Sequence, residues 1–237
     1  MNFVKSFVED MKYYDPQKKE LKTIISNANL NDKTIVDIGA GSGRLSFPLS
    51  NIAKIVIAIE SDGRLVNYLR KNKKRNIEII NEKAENYIKN KKFDVILLAW
   101  PTIDFKWIKL VNEAMHEDSL FIFTTCDSHS DFETIIDKIK AVKKDYFEED
   151  IRNKNNFIKQ LPTKFKLIKK KSIKTTVNFP NKNIAFYIIK NSLSLWFHVK
   201  LNKESENNLK KLISNHQKGK RVLFKENVWF YLLEKKL

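Results

Sequence analysis

Thr34-Ile-Val-Asp-Ile-Gly-Ala-Gly-Ser-Gly-Arg-Leu45 is the stretch whose reading decides the fold. Ile35, Val36 and Ile38 make an apolar run of the kind buried in a parallel sheet, and the run stops at a Gly-rich turn. Leu45, Phe47 and Leu49 then fit the apolar positions of a following helix. The chain holds five glycines, and three of them (Gly39, Gly41 and Gly43) fall in this turn. Glycine there permits positive φ and lets a ligand approach the main chain closely. The turn therefore reads as a nucleotide-type cofactor site, with free N–H groups at a helix N-terminus receiving an anionic group. An ordinary Gly-rich strand-to-helix turn is the plainer alternative.

The dinucleotide fingerprint G-x-G-x-x-G fails here, because Arg44 stands where the third glycine belongs. What is present is D-x-G-x-G-x-G, with Asp37 two residues before Gly39. This resembles motif I of the class I S-adenosylmethionine (SAM)-dependent methyltransferases, and looser matches follow in the same order over most of the chain. The resemblance implies an α/β fold: a doubly wound, mostly parallel seven-stranded sheet with helices on both faces, N-terminal helices and a helical insertion before the last strand. It also implies a methyltransferase with SAM as cofactor, in which Asp37, Gly39, Ala40, Gly41 and Gly43 hold the methionine part.

Ile55–Ile59 reads as a second buried strand ending at Glu60. An acid at that tip, about 20 residues after a Gly turn, can accept hydrogen bonds from both ribose hydroxyls of a nucleoside. The resemblance points to the same residue, with Ser61 beside it. Ser61-Asp62-Gly63 opens the next helix, and Asp62 fits as its cap. After a third strand, Ile77–Ile80, the family often carries an acid that meets the adenine amine. Lys83 departs from that pattern and leaves Glu85, or the backbone at Ala84, for the role.

A fourth strand, Phe93–Ala99, leads into Trp100-Pro101-Thr102. Ligands of open parallel sheets sit outside the carboxyl ends of the strands, so Ala99 and Trp100 join the candidate cofactor site. Trp100 could stack on adenine, wall the substrate pocket, or be core. Methyltransferases acting on exocyclic amines of bases typically show Asp/Asn-Pro-Pro-aromatic at this point, and this chain does not. Thr125-Cys126, after a fifth strand at Leu120–Phe123, resembles the nucleophile motif of RNA 5-cytosine methyltransferases. The companion Pro-Cys of those enzymes is absent, which makes Cys126 a structural thiol. Asp127 and His129 are the candidates for a base or substrate contact, with a helix cap as the alternative. Tyr14 lies in a loop that, in the resembled family, often folds over the cofactor.

The 237 residues read as one domain: N-terminal helices over 1–33, a cofactor-binding core over 34–177, a lid-like helical insertion over 178–219 and a final strand over 220–237. Asp15-Pro16 reads as the N-cap and first residue of a second helix, with Leu21, Ile24 and Ile25 on one face. A long helix from Phe132 extends towards Phe147, and Arg152–Asn156 reads as a loop or helix break. Phe179-Pro180 and the ending Tyr231-Leu-Leu-Glu-Lys-Lys resemble the branch of the family that mostly methylates small molecules, so a small-molecule acceptor is the first expectation.

RNA (tRNA or rRNA) is the alternative acceptor, motivated by a net charge of +17. A composition heavy in Lys, Asn and Ile gives the same charge without any RNA. A non-catalytic SAM-binding interaction protein is the third reading. One cysteine excludes an internal disulfide and Cys-based metal sites, and the four histidines lack ligand spacing, so no metal is expected. No apolar run approaches the roughly 20 residues of a membrane helix. The N-terminus has no signal-peptide core, which leads to the expectation of a cytoplasmic protein with no membrane partner.

Overall fold

The computed structural model describes residues 3–102, 104–127, 129–132, 134–139, 144–197 and 199–236. In chain order the elements are α1 (Phe3–Tyr13), α2 (Lys19–Asn27), β1 (Thr34–Ile38), α3 (Ser46–Leu49), β2 (Ile55–Ile59), α4 (Gly63–Lys71), β3 (Ile77–Ile80), α5 (Ala84–Tyr87) and β4 (Phe93–Ala99). They continue with α6 (Lys106–Glu113), β5 (Met115–Cys126), α7 (Ile135–Lys138), α8 (Lys144–Gln160), β6 (Phe165–Phe179), α9 (Lys182–Phe197), α10 (Lys203–Asn215), β7 (Gln217–Lys218) and β8 (Arg221–Lys235). Two compact units are formed, one from residues 20–125, 154–172 and 229–237, the other from 1–19, 126–153 and 173–228.

The first unit is built on the parallel ladder β3-β2-β1-β4-β5, with β8 and then β6 following in the strand order. The order reverses between β1 and β4, the switch point at which such sheets open a crevice. Register fixes what meets there. Ile38 pairs with Ile59 and with Leu98, so β1, β2 and β4 end nearly level with one another, while β5, paired to β4 through Ala99↔Thr124, runs on to Cys126. The central parts of the strands are mostly apolar, as expected where helices cover both faces of a parallel sheet. Val36, Ile38, Ile57, Ile59, Ile96 and Leu98 join Phe121, Phe123 and Phe157 in one core, where the Phe123 and Phe157 rings lie 5.2 Å apart.

The second unit packs α9 and α10 around Val177, Phe179 and Phe224. It contains a feature the sequence reading lacks: β7 pairs antiparallel with β8 through Gln217↔Val222 and Lys218↔Arg221. Among the described residues the sheet thus has eight strands with an antiparallel part, where the sequence reading expects seven mostly parallel ones. Gly219, at φ +62°, supplies the left-handed residue that a two-residue hairpin turn requires. The two helical patterns expected before the last strand are α9 and α10.

Three local expectations are corrected. Asp15 does not cap α2; at φ +42° it sits in a tight turn, and its buried carboxylate accepts the Thr175 hydroxyl at 2.7 Å. The buried face of α2 is Glu20 and Ile24, with Ile25 exposed, because i and i+4 share a face. Arg152–Asn156 lies inside α8 rather than in a loop. Lys154 and Phe157 along it, and Leu161 just past its end, are buried at helical spacing, and the polar residues between them face water. Of the long helix expected from Phe132 to Phe147, Ile135–Lys138 is helical as α7, and residues 140–143 lie outside the described ones.

Proline at Asn155, exposed in mid-α8, should therefore destabilise the protein by about 3 kcal/mol through the lost hydrogen bond and ring clash. Urea unfolding of Asn155→Pro checks this, and a loop at this position would leave the midpoint unchanged.

Candidate functional site

The turn after β1 carries Gly39, Gly41 and Gly43 at φ +71°, +56° and +75°, a conformation that side chains with a Cβ rarely adopt. The three glycines serve different ends. A Cβ on Gly43 would lie 2.5 Å from the Phe47 ring and 2.9 Å from Leu69, so this glycine serves the close packing of the turn against α3 and α4. A Cβ on Gly39 would meet nothing within 4 Å, which leaves open space beside the backbone at the carboxyl end of β1.

The expected row of free N–H donors is not what the turn provides. Gly39 and Ala40 both donate to the Ile59 carbonyl, Gly43 donates to Ala40, and Gly41 donates to the Glu60 carboxylate at 3.0 Å. The helix that follows, α3, is only four residues long. The turn is thus shaped for close approach and faces a carboxylate; it is not poised for an anion. SAM carries no phosphate, so these features fit it better than they fit a dinucleotide.

Glu60 stands at the tip of β2 and bridges the turn and α4, accepting from Gly41 N–H at 3.0 Å and Asp62 N–H at 2.8 Å. It is half-buried, so a carboxylate is held in place beside the open space at Gly39. Ser61 is exposed, and its carbonyl accepts the Asn81 amide at 3.2 Å. Asp62 is the N-cap of α4, accepting Arg64 N–H at 2.8 Å and pairing with the Arg64 guanidinium.

Asp37 lies beneath the turn, 3% exposed, and accepts the Ser46 hydroxyl. Burial pushes its carboxyl up to about 6 from an ordinary 3.8, against the lowering pull of the Ser46 hydrogen bond and the Arg44 guanidinium. Its contact with α3 ties the strand to the helix under the site.

At the β4 end, Ala99 is half-buried, and Trp100 takes φ +55°, a left-handed conformation costing about 1–3 kcal/mol in a non-glycine residue. Two hydrogen bonds hold it: its backbone N–H donates to the Thr124 carbonyl at 2.9 Å, and its indole Nε1 donates to Glu20 at 3.0 Å. Glu20 is the site residue that sequence reasoning missed. Only 1% exposed, it accepts from Trp100, from the Thr124 hydroxyl at 2.7 Å and from Arg44 at 2.6 Å. The Arg44 guanidinium also lies 6.0 Å from the Trp100 ring. Arg44, which breaks the dinucleotide fingerprint, therefore links the Gly turn to the β4 tip through a buried acid on α2. No sequence signal marks Glu20, since a glutamate opening a lysine-rich helix reads as a solvated first-turn residue.

Ala84 is buried at the start of α5, whose N-cap is Lys83. Glu85 is engaged elsewhere: it pairs with Lys106 at 2.8 Å, which holds its carboxyl below the usual range. Tyr14, Asp127 and His129 belong to the second unit. Tyr14 donates to Glu226 at 3.4 Å and meets Phe132 edge-on. Asp127 accepts from Asn227 and from His129 N–H, each at 3.1 Å, and the His129 side chain is 82% exposed. Cys126 is buried at the end of β5. The first unit thus brings together the Gly turn, Glu60, Ala99 and Trp100, with Asp37 below them.

Comparison with known proteins matches residues 11–92 to the family described as Ribosomal RNA adenine dimethylase. A ribosomal RNA small subunit methyltransferase A from Wigglesworthia glossinidia brevipalpis is 48% identical over 68 residues, which is 27% of this chain and 26% of that relative's length. Among solved structures, the YcgJ protein of Bacillus subtilis is 13% identical, with a TM-score of 0.57 over 92% of this chain and 98% of its own. The N-methyltransferase NodS of Bradyrhizobium japonicum, solved with S-adenosyl-L-homocysteine, is 10% identical, with a TM-score of 0.52 over 94% and 87%.

Two outcomes follow from this geometry. Gly43→Ala should lower the unfolding midpoint markedly, because a clash with Phe47 and Leu69 adds to the left-handed strain, whereas Gly39→Ala meets only that strain of about 1–2 kcal/mol and should lower the midpoint less, yet bind S-adenosylhomocysteine at least tenfold more weakly; thermal melts and calorimetry separate the two. The second concerns Asp37. Its folded carboxyl binds the proton more tightly than the unfolded one, so it adds stability at about pH 4 that is lost as pH rises to about 6. The stability difference between parent and Asp37→Asn should accordingly shrink by on the order of 3 kcal/mol across that window. Urea titrations at successive pH values would give a flat difference if Asp37 titrated as in the unfolded chain.

Proposed function

We propose that this chain, which has the Rossmann-like fold of the class I SAM-dependent methyltransferases, is a methyltransferase that takes its methyl group from SAM and delivers it to RNA. The observation that carries the reading is the match over residues 11–92, which spans the Gly turn, Glu60 and α5 and so covers the cofactor half of the first unit. The small-molecule acceptor expected first rests on short motifs near residues 179 and 231–236. The relatives found over the cofactor half are named for ribosomal RNA, and the net charge of +17 suits a polyanionic acceptor, so RNA takes its place.

The residues present fit SAM. Gly39 leaves room for the ligand at the end of β1, and Glu60 offers carboxylate oxygens to a ribose diol. Trp100 presents an aromatic face fixed by Glu20. When bound, SAM supplies an electrophilic methyl group on a sulfonium, so the chain need only align an acceptor and exclude water; such positioning is worth about 7 kcal/mol or more. Glu20 and Arg44 contribute by keeping the turn and the β4 tip in one arrangement.

The similarity to the adenine dimethylase family stops at residue 92, before Ala99-Trp100-Pro101-Thr102. Ala99 has no side-chain carbonyl with which to hold an exocyclic amine. The acceptor is accordingly proposed at the level of RNA, and the atom is left to experiment.

Incubating the purified chain with methyl-labelled SAM and a small-subunit ribosomal RNA transcript should transfer label to the RNA, and nucleoside digestion would identify the methylated atom. Binding of S-adenosylhomocysteine without transfer to RNA, but with transfer to small amine or hydroxyl acceptors, would overturn the RNA assignment. Absence of S-adenosylhomocysteine binding in folded protein would overturn the cofactor assignment as well.

A further inference from the structure

β6 is the last strand in the order β3-β2-β1-β4-β5-β8-β6, so among the described residues no strand pairs with the outer side of its Phe165–Ser172 stretch. Within the first unit it runs Phe165-Lys-Leu-Ile-Lys-Lys-Lys-Ser172, and every residue from Lys166 to Ser172 is exposed. The segment of that unit from Lys154 to Ser172 holds seven lysines and no acid. One charge is offset, because Lys166 pairs with Glu234 on β8 at 2.7 Å. Among the described residues no carboxylate pairs with Lys169, Lys170 or Lys171. Lys170 instead lies over the Trp229 ring at 4.5 Å and the Tyr231 ring at 5.4 Å, which steadies its ammonium at the sheet surface.

Lysines on an edge strand have a defensive use, since they discourage pairing with another chain. That use does not account for the whole run. Leu167 and Ile168 sit beside the lysines at 49% and 45% exposure, and large apolar side chains on an open edge invite the contact that defensive charges prevent. A cationic run with an exposed apolar pair and an aromatic beneath it fits a ligand that is anionic along its length and apolar between its charges. A sugar–phosphate backbone with its bases has that character. Lys169 and Lys171, two residues apart on a strand, stand about 7 Å from one another, a spacing suited to two phosphates of one chain.

We propose that the outer strand β6 binds the sugar–phosphate backbone of RNA through Lys169 and Lys171, with Leu167, on the same face of the strand, against its sugars and bases. This rests on the reading of RNA as the methyl acceptor and adds to it a docking surface outside the cofactor site.

The test measures affinity of the full-length chain for a labelled single-stranded RNA oligonucleotide over a range of salt concentrations. Lys169→Gln/Lys171→Gln is compared with the parent and with Lys71→Gln/Lys73→Gln, a pair that removes the same charge from the exposed end of α4. Each lost phosphate contact lowers the slope of log affinity against log salt by about 0.7, so the edge pair should lower it by about 1.4 and the control pair by nearly nothing. Lys170→Gln, on the opposite face of the strand, should leave it nearly unchanged. All variants should keep the parent's unfolding midpoint and S-adenosylhomocysteine affinity. An unchanged slope in the Lys169→Gln/Lys171→Gln pair, with RNA still bound, would overturn the β6 surface and leave the RNA acceptor standing. Equal losses in the edge and control pairs would overturn it too, since overall charge would then be the cause. A parent that neither binds nor methylates RNA would remove the acceptor reading and this surface together. Preference of the lysine run for an acidic polypeptide over RNA would assign it to a protein partner instead.

Discussion

The in-register parallel pairing of β1 with β2 on one side and β4 on the other is the constraint on which the site depends. Because Ile38, Ile59 and Leu98 share one level, the residues that follow them (Gly39, Glu60 and Ala99) emerge together at the switch point of the sheet. A slip of one residue would turn each strand's side chains to the opposite face. The buried aliphatic residues of all three strands forbid such a slip, so the hydrophobic core sets the geometry of the polar site above it.

A second layer of control is polar. The Glu20 carboxylate joins α2, the Gly turn, the β4 tip and β5 through Arg44, Trp100 and Thr124. A buried carboxylate is stable only when its oxygens are satisfied, and removal of one partner from such a group is costly. The same arrangement offsets the strain at Trp100, whose left-handed backbone turns the indole towards Glu20. Asp37 plays a comparable part beneath the turn, where its contact with Ser46 ties β1 to α3.

The family match covers part of the chain. It runs over residues 11–92, through β1, the Gly turn, Glu60 and α5, and stops before Ala99 and Trp100, which complete the candidate site from the end of β4. Beyond it stand Ala99-Trp100-Pro101-Thr102 and the lysine-rich outer strand. One sheet can carry different chemistry, because function lies in the residues placed at its strand ends rather than in the fold itself.

The sequence alone determined the parallel α/β core, the Gly turn and the placing of Glu60. Short-range pattern decides those: continuous apolar runs, glycines where φ is positive, and an acid at a strand tip. It also suggested the capping role of Asp62, which is local to three residues. It did not reveal Glu20, whose partners are 24, 80 and 104 residues away. It misjudged Asp15 and the stretch Arg152–Asn156 for the same reason. Asp15 is held by Thr175, and α8 is anchored by Phe157 against Phe123, so long-range contacts override the local signals of Pro16 and of a run of polar residues. The antiparallel β7–β8 hairpin and the outer position of β6 likewise arise only when strands distant in sequence are laid side by side. Periodicity records which face of an element is buried, and tertiary packing decides what it is buried against.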